Sequence, residues 1–171
     1  LGDGAAAEHA WRAALALVLG DSYLRAGYAD FLLDQGRAAE VLTLLQGREA
    51  NDLHLLRLAL AGQALKHARA ADWKAQLAAR FDAARQRGDT AHQKEEARFA
   101  LQLQGDPARA LPLARANYAL QREAADARVL LQAALAARDK AAAQPVLDWL
   151  QRSRFEHPAL AALARQVQAL P

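Results

Sequence analysis

Three residues spaced for one helix face, Asp89, His92 and Glu96, are the closest this chain comes to a metal site. Residues three and four apart on a helix are neighbours, and imidazole with carboxylate suits zinc. Nothing supplies a further ligand. There is no cysteine, and the five histidines, at 9, 54, 67, 92 and 157, share no ligand spacing. Acids near the positive end of a helix account for the same pattern more simply, so neither a metal nor a cofactor is expected.

Asp30 and Asp34 are four apart and could act as paired carboxylates in acid–base chemistry. No histidine or pocket-forming loop accompanies them, so they read as groove-lining or solvated charges. Glycine-rich phosphate loops, a Gly-x-Ser-x-Gly elbow and a His-Glu-x-x-His pair are all missing. With no nucleophile beside a base, catalysis is not expected. Trp11, Trp73 and Trp149 each fall on an apolar helical stripe, which assigns them to core packing rather than to binding.

The elements that must position these residues are helices. Apolar residues make up 53% of the 171, and they are largely alanine and leucine, which favour helices over strands. Lys and Arg number 22 against 19 Asp and Glu, a net charge of +3. Acids are interleaved with the bases, as in Lys94-Glu95-Glu96, so no nucleic-acid footprint is expected. The longest apolar run, Ala13 to Leu19, falls far short of the roughly eighteen residues of a membrane span, and no membrane insertion is expected.

A repeat organises the chain. Gly105-Asp106-Pro107 begins a helix whose plan returns at Arg138-Asp139-Lys140, an interval of 139 − 106 = 33 residues. In both copies an Asp stands where an N-cap belongs and a proline comes six residues later, at Pro112 and Pro145. Two costly helix-interior prolines in register point to one unit used twice. Asp72-Trp73 and Gly36-Arg37 are fainter upstream echoes. A period in this range signals stacked helical pairs.

Periodicity and caps predict about ten helices: 5–19, 22–35, 38–46, 52–67, 71–87, 90–104, 107–120, 124–137, 140–151 and 158–170. In the first, Trp11, Leu15, Val18 and Leu19 form the expected buried stripe. The fourth is apolar nearly all round, as a sandwiched helix should be. The sixth opens on His92-Gln93-Lys94-Glu95-Glu96, so its first half is expected to be exposed.

The paired helices, the period and the loops Gln35-Gly36-Arg37 and Gly105-Asp106, with small residues Ala110 and Ala143 in second helices, resemble the tetratricopeptide repeat. That resemblance implies an all-α solenoid of antiparallel hairpins wound as a right-handed superhelix, one domain over 1–171. Residues 1–20 would be the second helix of a truncated repeat, 21–51, 52–88, 89–122 and 123–157 the hairpins, and 158–171 a capping helix. It also implies a non-enzymatic scaffold that binds a protein or extended peptide in a concave groove. The groove residues by family register are Tyr23, Asp30 and Asp34, then His92 and Glu95, then Arg128 and Gln132.

The run from Tyr28 to Arg37, with Leu55 to Ala61 and Arg80 to Arg85, is similar to the C-terminal half of exported Gram-negative tetratricopeptide proteins. This implies the periplasm, while the residues themselves leave the cytoplasm open. The opening Leu1-Gly2-Asp3-Gly4 reads as a tether cut from a longer chain. A first helix built to touch a missing neighbour is expected to self-associate weakly. The alternative function is structural: packing on its own missing N-terminal repeats or on itself, with no groove ligand.

Overall fold

The computed structural model describes residues 4–18 and 20–171. Among them, every regular element is a helix. They are α1 (Gly4–Leu17), α2 (Ser22–Asp34), α3 (Ala38–Leu45), α4 (Asp52–Leu65), α5 (Ala70–Gln86), α6 (Gln93–Arg98), α7 (Pro107–Leu120), α8 (Ala124–Ala137), α9 (Gln144–Ser153) and α10 (Pro158–Gln168). A π-helical turn, Phe99–Gln104, continues α6, and a 3-10 turn, Ala141–Ala143, leads into α9. Among the described residues no helix is long and apolar enough to cross a membrane.

The chain divides into two compact units, one reaching Gly88 and one from Asp89 to Pro171. In the N-terminal unit α2 packs on α1, α3 and α4, and α4 packs on α3 and α5. Its core holds Leu32, Val41, Leu45, Leu55, Leu56, Leu77 and Phe81, all essentially inaccessible. Helix α4 is buried continuously from Leu53 to Ala59, as its all-round apolar pattern predicts. In the C-terminal unit α8 is central, packed on α6, α7, α9 and α10 around Tyr118, Leu130, Leu131, Val146 and Leu160.

One device ends four helices. After α2, α4, the α6 extension and α8, a residue adopts positive φ: Gly36 at 71°, Lys66 at 53°, Gly105 at 67° and Arg138 at 55°. The next N–H then reaches back over the helix end. Arg37 N donates to Leu32 O, His67 N to Gly62 O and Asp139 N to Ala134 O, each five residues back. Asp106 N instead donates to Ala100 O, six back, because the π turn holds one extra residue. Two of these donors, Asp106 and Asp139, also cap the next helical segment through their side chains, accepting at 2.9 Å from Arg109 N and Ala142 N.

The structure corrects three readings. The two prolines are not equivalent. Pro112 lies inside α7 with its ring exposed, whereas Pro145 sits in the first turn of α9. There the 3-10 turn lets Ala141 O accept from Gln144 N, so the carbonyl that a proline at 145 cannot serve is satisfied. The expected stripe of α1 is not buried: Trp11 and Leu15 are half-covered, Val18 is half-exposed, and Leu19 lies outside the described residues. Helix α1 packs on α2, which covers one side of it. The third correction is in α6, which starts at Gln93 rather than Thr90 and buries Glu95 and Glu96 in its first turn.

Candidate functional site

In the N-terminal unit, the seam between α2 and α4 carries polar groups rather than apolar ones alone. Arg57 rises from the buried side of α4, and its Nε and Nη2 donate to Asp30 Oδ1 at 3.1 Å and Oδ2 at 2.6 Å. Its Nη1 donates to Leu53 O at 3.1 Å, so the guanidinium is held from both ends. The Arg57 side chain is 5% exposed and that of Asp30 25%, which makes this a shielded, bidentate pair. Four residues before Asp30, Ala26 is buried, and next to it Arg25 has a buried Nη1 with no acceptor. His54, one turn before Arg57 on α4, is buried beside the start of α2.

A second polar node ties α1 to the α2–α3 hairpin. The Glu8 carboxylate accepts from Arg37 Nη1 at 2.6 Å, Arg37 Nη2 at 2.9 Å, Arg12 Nη2 at 2.8 Å and the Tyr28 hydroxyl at 3.0 Å. Arg37 also bridges to Glu40 at 2.6 Å. With Arg37 foremost, then Arg12, the Glu8 carboxyl is pulled down to about 2. These carboxylates and arginines are committed to one another.

In the C-terminal unit the α6–α8 side is built around a fully buried carboxylate. Asp126 accepts from Asn117 Nδ2 at 2.9 Å and from Glu123 N at 2.9 Å, closing a capping box at the start of α8, and Lys94 Nζ lies 3.2 Å away. Glu96 accepts from Arg109 Nη2 at 2.7 Å across to α7. Between the α6 extension and α8, Gln102 Nε2 reaches Gln132 Oε1 at 3.5 Å. A recess of about 450 Å³ between α9 and α10 is lined by Lys140, Gln144, Leu147, Asp148 and Gln168. Its polar groups serve the fold: Lys140 Nζ donates to Gln168 O at 2.7 Å, and Gln144 Nε2 to Asp148 Oδ1 at 2.7 Å.

Of the seven residues expected to line a groove, the structure leaves Tyr23, Asp34 and His92 exposed. Arg128 and Gln132 are half-covered on α8. Asp30 is spent on Arg57 rather than presented outward. Glu95 is buried, 4% exposed, and is withdrawn from the set, because the turn that begins α6 at Gln93 faces both glutamates inward. The three metal candidates disperse: Asp89 Oδ1 accepts from Ala91 N, Glu96 is held by Arg109, and among the described residues no three metal-ligating side chains converge.

Sequence reasoning passes over Arg57, Asp126, His54 and Glu8. Two of them carry a signal. Arg57 is a lone charge in the apolar run Leu53 to Leu60, which demands a buried partner. Glu123-x-x-Asp126 is spaced as a capping box. No known family, curated protein or solved structure matches the chain.

Proposed function

We propose that the chain is a non-enzymatic scaffold of tetratricopeptide-like helical hairpins that binds a protein or extended peptide along the first helices of its hairpins. The observation that carries this is the order of packing within each unit. First helices lie beside the next first helix, α2 on α4, then α6 on α8 and α8 on α10, while the second helices α3 and α7 each touch the first helix of the next hairpin. Such a two-layer order leaves one face of the first-helix row for a ligand, since the second helices cover the other. The N–H that reaches five or six residues back over the ends of α2, α4, the α6 extension and α8 supports reading those four as equivalent elements.

Candidate contacts are Tyr23, 75% exposed, and Asp34 on α2, His92 before α6, and Arg128 with Gln132 on α8. A test is selection of binding peptides from a random display library, followed by amide-exchange mapping of the bound face. A second reading, self-association through α1, is favoured by one observation. Ala10, Ala13 and Leu17 succeed one another at helical spacing on an exposed face, with Leu17 84% accessible. Sedimentation at rising concentration, with Leu17→Lys as control, tests it; a small patch of this kind supports only weak association.

A further inference from the structure

We propose that the seam between α2 and α4 is a proton-operated latch, closed while His54 is neutral and forced open when that ring takes a second proton. His54 is 3% exposed, and its Nε2 lies 3.3 Å from the carbonyl oxygen of Ser22, the first residue of α2. A carbonyl only accepts, so Nε2 carries the hydrogen and Nδ1 holds the basic lone pair. That Nδ1 is buried and has no partner. A proton added there becomes a second N–H with neither water nor acceptor, and an unpaired buried donor is among the costliest groups a fold can hold.

The surroundings oppose the charge as well. From α2 comes Arg25, whose Nη1 is itself buried without an acceptor, while Asp21 is occupied capping Leu24 N and Asp30 is held by Arg57. The turn before α4 contributes Arg48, and α4 itself Arg57. From α3, Glu40 is engaged by Arg37; from α5, Arg80 is held by Asp52. Burial pushes the imidazole below its ordinary value, and Arg25, Arg48 and Arg57 add to that direction. A histidine whose folded value is depressed leaves stability intact above the ordinary value near 6.5 and drains it as the pH falls below, because the opened state takes the proton first. Each pH unit in that range shifts the opening equilibrium by up to about tenfold. The hydrogen bond to Ser22 places the opening at the first turn of α2. It is independent of what the surface binds.

The test is native-state amide exchange on the full chain between pH 7.5 and 5, corrected for intrinsic rates. The opening constant of α2 should rise toward tenfold per unit below pH 6, with α8 unchanged, and His54→Gln, which keeps an N–H for Ser22 O but cannot titrate, should flatten the rise. A flat profile in the wild type, or the same slope in His54→Gln, overturns the latch. Should His54→Gln fail to fold, the ring signals of the wild type decide: His54 is expected to stay neutral below the ordinary value near 6.5, and titration at or above that value contradicts the proposal.

Discussion

Arg57 on α4 grips Asp30 on α2 through two hydrogen bonds of 3.1 and 2.6 Å, joining helices across 27 residues of sequence. Removing the carboxylate takes both of these charge-assisted bonds from a guanidinium that is almost wholly covered. Asp30→Ala is therefore expected to cost about 3–5 kcal/mol, whereas Asp30→Ala with Arg57→Met should recover most of that loss. Denaturant midpoints of the single and double variants check this; additive losses would show that the pair is not coupled.

Two glycines 62 − 27 = 35 residues apart lie under tryptophan rings, but they are expected to respond differently. A Cβ at Gly62 would sit 2.9 Å from Trp73 Cζ3, and Trp73 is buried, stacked on His67 at 5.1 Å with the Arg69 guanidinium 5.0 Å from its ring. With no room to retreat, Gly62→Ala should destabilise by about 1–3 kcal/mol despite alanine's better helix propensity. At Gly27 the Cβ would meet Trp11 Cη2 at 2.6 Å, but Trp11 is half-exposed on α1 and can swing out. Gly27→Ala should leave the midpoint nearly unchanged while shifting Trp11 fluorescence toward that of a solvated indole.

Lys66 and Arg138 hold the left-handed position that glycine holds at 36 and 105. A side chain there costs about 1 kcal/mol, part of which glycine returns as unfolded-chain entropy. Lys66→Gly and Arg138→Gly should each stabilise by about 0.5 kcal/mol, read as a rise in the denaturant midpoint.

How much of the fold is legible in the sequence depends on how local the signal is. Helix number and the caps at Asp106 and Asp139 are readable because period and capping are written within a few residues. The α6 register is not, because Glu95 and Glu96 look solvent-bound in sequence although both are buried, and Glu96 finds its partner in Arg109, thirteen residues further along the chain. The same is true of Asp30, whose place in the helical register points outward but whose partner, Arg57, comes from the next hairpin. The two prolines look alike in spacing, but only one lies inside an α-helix, since a 3-10 turn is set by hydrogen bonding that sequence spacing does not reveal.

Acid should loosen the Glu8 node in a window distinct from that of His54. The folded carboxyl is held at about 2 against an ordinary 4.5, chiefly by Arg37 and then Arg12. Its contribution is therefore complete above 4.5 and is lost as the pH falls toward 2. Glu8→Gln should be less stable than wild type at neutral pH and converge with it by about pH 2. A constant gap across that range would mean the carboxylate's charge contributes nothing.

The central claim is that the first-helix rows bind a protein or peptide, and amide exchange on the chain saturated with a display-selected peptide tests it most directly. The account predicts protection on α2 and α4 or on α6 and α8, with binding weakened about tenfold by Tyr23→Ala in the first case or by Gln132→Ala in the second. Protection confined to α3, α5 or α7, or a library that yields no peptide binding at micromolar affinity, would contradict it.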